Sequence, residues 1–381
     1  AVINTAAVAA IAFVCAYYAD YFLWLPRFSD AVVQANTWHI PFIGDLYPLK
    51  DFGVKLLAIL IVMALTWVNY LSVKAGSYFQ NISTFLKMAV IAALVLGIFI
   101  SGKGSVSHFI EASAPKHNGA LLSGIIAAMT GAFFAYDGWI NIASMAGEVK
   151  DPQRNIPRSL WLGVVVCILV YVLVNQAYLY VLPVEQVAGS KLVAADAIGV
   201  ALGQTSEAIV AAMIVICTFG AVNGNIMATA RITYAMGKDK VFSVWTGKEH
   251  QHYQTPGNAL WLHGVWTCLF IITGSFDMLA DMFVFITWIA YGLGAVGIFL
   301  LRKRMPEADR PYRIWGHPFV TWLFIGFSAF YLITTLYNDI SNYLAHQQPV
   351  INSLLGLIIT AMGIPFYFYY RKKYKRTSLP D

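Results

Sequence analysis

The stretch GAFFAYDGWINIASMAG, residues 131–147, decides how this sequence is interpreted. It is apolar over most of its length, yet it contains three glycines and a single carboxylate, Asp137, followed directly by Gly138. An Asp-Gly pair within an apolar span favours a break in the helix, and a broken helix in a membrane must line a cavity. The stretch therefore predicts an interrupted helix beside a binding site. The alternative is a continuous helix in which Asp137 caps locally or faces a neighbour.

The two ends of such a break would suit a zwitterion. Carbonyls at the C-terminal end of the first half-helix attract an ammonium group, and amides at a helix N-terminus attract a carboxylate.

The composition of the whole chain indicates a membrane protein. Of 381 residues, 59% are hydrophobic and 12% charged, whereas soluble domains are roughly 45–50% apolar and about 25% charged. Mean hydropathy is +0.65, and the apolar residues fall in runs near the roughly 20 residues that cross a bilayer. These runs lack strict alternation, so we expect an all-α polytopic protein and not a barrel. Ten spans are predicted, at 1–25, 53–73, 79–101, 119–145, 159–182, 206–230, 257–275, 277–301, 318–338 and 349–370.

Lysine and arginine residues are divided unequally between alternate loops. Eighteen of the 25 lie in one set of loops, six in the other, and Lys87 lies within a span. Because loops rich in Lys and Arg stay in the cytoplasm, we expect the first set and both chain ends to be cytoplasmic. The basic residues flank spans and do not cover one helix face, so the net charge of +6 does not indicate nucleic acid binding.

Other polar and aromatic positions within the spans are candidates for function. Lys87 lies about nine residues into its span, so its ammonium either needs a buried partner or reaches the interface from a tilted helix. Asn223 can bridge helices or line a cavity. Trp288 and Tyr291 can border a cavity or fill space between helices. For Asn223 and Trp288 we expect packing to be the commoner role.

The sequence carries no motif of an enzyme or a metal site. It has no G-x-S-x-G, P-loop or HExxH motif and no paired intramembrane acids of the kind that proteolysis or ATP-driven transport needs. His250 and His252 have no further ligand nearby. Four cysteines lie singly in apolar runs, as buried small hydrophobes do: Cys15, Cys167, Cys217 and Cys268. We therefore expect no metal and no cofactor.

Five features of the sequence occur together in one known family. They are FAYDGW (134–139), GEVKDPQRNIPRS (147–159), FGAVNGN (219–225), the RKR (302–304) to RPYRIWGHP (310–318) loop, and the intramembrane Lys87. In this order they resemble the L-amino acid transporter family of the amino acid, polyamine and organocation superfamily. Within it they resemble the bacterial serine/threonine exchangers, which carry the same FAYDGW type of sequence.

The resemblance implies a twelve-helix fold built from two inverted five-helix repeats. It implies one transmembrane domain over 1–381, with the remainder of the first repeat at 1–101 and the second repeat at 119–301. Two C-terminal helices would follow at 318–370, and a basic cytoplasmic tail at 371–381. In this alignment residue 1 falls inside the third helix of the family, so the first two helices are expected to be absent from the sequence.

The resemblance also implies a function in the cell (inner) membrane. It is sodium-independent exchange of neutral L-amino acids, such as Ser, Thr or Ala, by alternating access. Phe134 would be the aromatic gate, and Lys87 would replace a sodium ion. The implied substrate-binding residues are Phe133, Phe134, Ala135, Tyr136, Asp137 and Gly138. Animal relatives bind a heavy subunit through a loop cysteine that residues 26–52 lack, so no disulfide-linked partner is expected. An amino acid/polyamine antiporter and a non-transporting membrane fragment remain alternatives.

Overall fold

The computed structural model describes residues 2–109, 120–144, 149–308, 310 and 313–374. Lys116, Gly147 and residues 375–381 of the basic tail therefore lie outside the described residues. An antiparallel hairpin, β1 (Trp38–Ile40) and β2 (Gly44–Leu46), is the one sheet in the described ranges. The α-helices are α1 (Val2–Leu23), α2 (Asp30–Ala35), α3 (Phe52–Leu71), α4 (Val73–Ile100), α5 (Ala120–Tyr136), α6 (Asn141–Ser144), α7 (Pro152–Val181), α8 (Val184–Gly189), α9 (Val193–Leu202), α10 (Gln204–Lys238), α11 (Gly257–Thr273), α12 (Phe276–Arg304), α13 (Phe319–Leu344), α14 (Asn352–Ala361) and α15 (Gly363–Tyr374).

Every one of the ten predicted spans corresponds to helix, which confirms an all-α polytopic membrane protein. Seven spans are long and apolar enough to cross a bilayer: α1, α3, α7, α10, α12, α13 and α14 with α15. The other three, α4, α5 and α11, have shorter apolar parts in their described residues. Several predicted boundaries were wrong. Helix α4 begins at Val73 and not at 79, and only Ser72 separates it from α3. Helix α7 begins at Pro152 and not at 159, since proline suits a first helical turn.

Helix α1 lies at the centre of the bundle, where it packs against α3, α10, α11 and α12. Small side chains let helix backbones approach closely, which favours association in a bilayer. The fully buried alanines of α1 are Ala6, Ala9, Ala10, Ala12 and Ala16. The alanine-rich start of the chain therefore forms the core around which the other helices pack.

Helix α7 lies at the surface of the bundle, although its most apolar stretch is more hydrophobic than that of α1. Its long side chains are exposed, with Trp161 at 71% and Leu169 at 58% of their accessible surface. An apolar surface of this kind suits contact with lipid.

Polar side chains bridge helices inside the bundle. The Asn69 amide of α3 donates to the Asn223 side-chain oxygen of α10 over 2.7 Å. On the same side, Thr233 of α10 and the His263 ring of α11 are 2.6 Å apart. Such bonds satisfy polar groups that lipid cannot satisfy.

Candidate functional site: a helix break between two ends of the bundle

The apolar span at 119–145 is interrupted at the Asp-Gly pair. Helix α5 ends at Tyr136, a turn occupies 137–140, and α6 begins at Asn141. Gly138 has φ +113°, a conformation that side chains with a Cβ rarely adopt. The Asn141 amide donates to the Gly138 carbonyl over 3.1 Å. The continuous-helix alternative is therefore wrong, and the break lies where the sequence predicted it.

The carboxylate at the break is fixed to a distant helix. The Tyr291 hydroxyl of α12 donates to the Asp137 carboxylate over 2.6 Å, and the Tyr291 ring lies 5.0 Å from that of Trp139. A hydrogen bond to an ionised group is among the stronger ones in proteins. Tyr291 was predicted to border a cavity or fill space, but its bond to Asp137 was not predicted.

The last backbone carbonyls of α5 differ in the hydrogen bonds that they accept. The Ala135 carbonyl accepts a bond of 2.9 Å from the Tyr171 hydroxyl of α7. The Phe134 carbonyl accepts only a long bond of 3.4 Å from the Asp137 amide. Because a carbonyl oxygen has two lone pairs, each can accept a further donor. The Tyr136 ring packs edge-on against that of Tyr171, with centroids 4.8 Å apart.

The two phenylalanines that precede the break contact different neighbours. The Phe133 ring packs 4.3 Å from Trp288, which also contacts the rings of Phe324 and Tyr331 on α13. Trp288 thus joins α5, α12 and α13, which favours the packing alternative for this residue. The Phe134 ring instead packs edge-on against Phe276 and Phe283 in the first two turns of α12, at 5.9 Å from each.

Cavities lie toward both ends of the bundle from the break. We call the end that carries β1 and β2 the hairpin end, and the end that carries Arg302–Arg304 the basic end. The hairpin-end cavity is about 370 Å³ and is lined by Phe13, Tyr17, Lys55, Asp277, Met278 and Asp281, among others. Toward the basic end, one cavity of about 370 Å³ lies beside Trp139 and Tyr291. A second, of about 780 Å³, lies between Trp139, the start of α7 and Arg310.

Lys87 lies apart from this cluster. It is 14 residues from the start of α4, about 21 Å along the helix, and its depth in the membrane stays a prediction. It interacts electrostatically with Cys217 of α10 and makes no hydrogen bond or ion pair with any other described residue. Asn223 is 1% exposed, and its bond to Asn69 favours helix bridging over the cavity-lining role.

Comparison with known proteins gives consistent matches. A family described as amino acid permease matches residues 2–363. The b(0,+)-type amino acid transporter 1 of Mus musculus is 27% identical over 322 residues, which is 83% of this chain and 62% of that protein. The serine/threonine exchanger of Bacillus subtilis is 25% identical over 84% of this chain and 70% of its own length. The human large neutral amino acids transporter small subunit 2 is 28% identical over 90% of this chain and 60% of its own length. The chain thus spans less than two thirds of the two mammalian proteins.

Proposed function

The chain belongs to the amino acid permease family, and we propose that the protein exchanges neutral L-amino acids across the cell membrane at the break between α5 and α6. The exchange is sodium-independent, and the substrates are small, such as serine, threonine or alanine. The relatives above are named as amino acid transporters and an exchanger, none as an enzyme.

The break itself is the observation that carries the proposal. The C-terminal end of a helix has a partial negative charge and carbonyls without intrahelical partners. The end of α5 lies beside the basic-end cavity lined by Trp139 and Tyr291, and its Phe134 ring contacts the part of α12 that lines the hairpin-end cavity. The substrate ammonium binds the carbonyls of Phe134 and Ala135 beside Asp137. Phe133, Tyr136 and Gly138 shape the same site. Alternating access then opens the cavity at one end while closing the other.

Phe134 is the gate toward the hairpin end. Its ring contacts Phe276 and Phe283 of α12, and the first turns of α12 also line the hairpin-end cavity. Rotation of this ring away from α12 connects that cavity to the break.

The remaining parts of the proposal concern orientation and ion use. The basic end and the C-terminus face the cytoplasm, since basic loops stay there, so the hairpin end faces outward. The fixed ammonium of Lys87 replaces a sodium ion, and no disulfide-linked heavy subunit is required. Residues 1–101 and 119–301 belong to the two inverted repeats.

Radiolabelled serine uptake into proteoliposomes tests this function with the full-length protein. We expect uptake to require internal serine and to be unchanged when sodium is replaced by choline. Phe134→Ala is expected to change the half-saturating concentration, whereas Leu169→Ala on the exposed face of α7 is not. Uptake driven by sodium contradicts the proposal, and uptake stimulated only by internal putrescine favours the polyamine antiporter.

A further inference from the structure

Two buried carboxylates lie together at the hairpin end, outside the break. Asp281 of α12 and Asp339 of α13 both lie against the start of α14, where they bond to two consecutive residues. Asp339 is 7% exposed, whereas Asp281 lines the hairpin-end cavity and so has a path to water. Because the two residues are 58 positions apart in the sequence, no sequence motif reveals the pair.

Each carboxylate accepts one hydrogen bond from the start of α14. The Asn352 amide donates to Asp281 over 3.0 Å, and the Ser353 backbone N–H donates to Asp339 over 2.8 Å. These are neutral donors, and neither acid forms an ion pair with a described residue. The negative charge of the pair is therefore not compensated by a neighbouring cation.

The other charged groups around the pair do not supply that compensation. Asp277, one turn earlier on α12, adds a third negative charge. Lys55 of α3 lines the same cavity, but its ammonium donates to the carbonyls of Tyr47, Pro48 and Ile272 at 2.8, 3.3 and 2.9 Å. An ammonium with all three protons engaged has none left for a carboxylate. Of the remaining ionisable residues on the cavity wall, Lys50 is exposed, Tyr17 of α1 bonds to Asp51, and Asp45 lies beside the His39 ring.

Two buried hydroxyls lie near the pair, one against Asp339 and one against Tyr331. Ser353 is 1% exposed and lies next to Asp339, and Thr335 is 7% exposed and lies next to Tyr331. Neither hydroxyl makes a hydrogen bond of ordinary geometry with a described residue. Buried polar groups are normally paired, and the Ser353 hydroxyl faces the Asp339 carboxyl, so it can bond to that acid in either of its charge states.

We propose that Asp281 and Asp339 form a proton-binding site, in which the two carboxylates together hold one proton taken from water in the hairpin-end cavity. Two like charges that are buried together cannot both persist without a counter-charge, and one shared proton removes one of them. The proton leaves a hydronium ion in the cavity, bonds to a carboxylate oxygen, and returns to water by the same path. The described residues contain no group of three His, Cys, Asp or Glu side chains arranged for a metal ion, and the sodium arm of the test below separates a proton from an alkali cation.

The site is also connected to the interrupted helix. Tyr331 of α13 interacts electrostatically with both acids, and its hydroxyl lies 2.8 Å from that of Thr130 on α5. Thr130 precedes the break by two turns. A change in the charge of the pair can thus reach α5 through a single tyrosine.

Infrared difference spectra of the purified full-length protein in lipid nanodiscs, recorded between alkaline and acidic buffer, test the site without any transport step. We expect the carbonyl stretch of a protonated carboxylic acid, shifted in D₂O, and its loss in both Asp281→Asn and Asp339→Asn. In each variant the asparagine amide replaces the shared proton, so the remaining acid stays ionised. The matched control is Asp20→Asn, whose carboxylate already pairs with Arg27 at 2.5 Å, and it should leave the band unchanged.

Three results would overturn the proposal. They are a wild-type spectrum without the band, a band that survives in either single variant, and a band that appears only when sodium is removed. The last of these would assign the site to a metal cation. Because serine exchange is measured separately, failure of the proton site leaves the proposed transport function untouched.

Discussion

Helices α1 and α5 are built from similar residues but lie in opposite environments. Both are apolar and rich in alanine or glycine. The alanines of α1 are fully buried against neighbouring helices, whereas a Cβ added to Gly124 or Gly131 of α5 would meet no atom within 4 Å. Small residues therefore let neighbouring helices pack closely against α1, whereas beside α5 they leave open space. Composition alone therefore does not separate a closely packed helix from the helix that we propose binds substrate, whereas the Asp-Gly break does.

The largest expected loss of stability comes from a larger side chain on the closely packed face of α1. Ala9→Leu places a larger side chain at a fully buried position, and overpacking of this kind costs about 3 kcal/mol. The matched variant is Ala128→Leu on the exposed side of α5, where we expect no loss. Thermal unfolding of the detergent-solubilised proteins measures both. Equal destabilisation by the two variants would show that α5 packs as closely as α1.

A smaller effect is expected at the break, where two glycines of one segment can be compared. Gly138→Ala must adopt φ +113°, which costs about 2 kcal/mol for a residue with a Cβ. It should also lower the serine exchange rate by at least about tenfold, since about 1.4 kcal/mol corresponds to tenfold. Gly131→Ala lies in regular helix with open space around it, so exchange should be unchanged.

Serine exchange assays of the two glycine variants, at matched protein density in proteoliposomes, test whether the backbone conformation of Gly138 is required. If Gly131→Ala and Gly138→Ala reduce exchange equally, the left-handed turn at the break has no special role. If neither reduces it, the break tolerates a Cβ and the observed backbone is not required.

The smallest loss of stability is expected when the hydrogen bond to the Ala135 carbonyl is removed. Tyr171→Phe removes one neutral hydrogen bond, which is worth about 1 kcal/mol, and should lower the unfolding midpoint slightly. Tyr291→Phe removes a bond to the Asp137 carboxylate, worth about 2 kcal/mol, and should lower it more. Tyr337→Phe, at a 72% exposed position of α13, is the control. A reversed order of the first two variants would contradict the assignment of Tyr291 as the main anchor of the break.

Much of this architecture follows from the sequence because local rules decide it. Apolar runs of bilayer length predicted helix at all ten places, seven of which are long and apolar enough in their described residues to cross a membrane, and Asp137 with Gly138 predicted the break. The boundaries of α4 and α7 did not follow, because helices continue past the apolar run when their first turns can carry charged residues such as Arg154. The hairpin of β1 and β2 was not predicted either, since its strands are three residues each.

Contacts between distant helices could not be read from the sequence. Asp137 and Tyr291 are separated by 154 positions, and Asp281 and Asp339 come together only through the antiparallel packing of α12 and α13. Lys87 shows the same limit, since its depth depends on where α4 begins. A polar residue in a span signals that a partner is needed, but only the fold identifies it.

Protection of the break by substrate tests the central claim most directly. In a protein whose four native cysteines are replaced by alanine, Ala135→Cys at the break and Leu169→Cys on α7 are labelled with a small maleimide, with and without saturating serine. We predict that serine slows labelling at Ala135→Cys, with half-protection at the concentration that half-saturates exchange, and leaves Leu169→Cys unaffected. Exchange-competent protein in which serine protects neither cysteine, or both equally, would contradict a substrate site at the break.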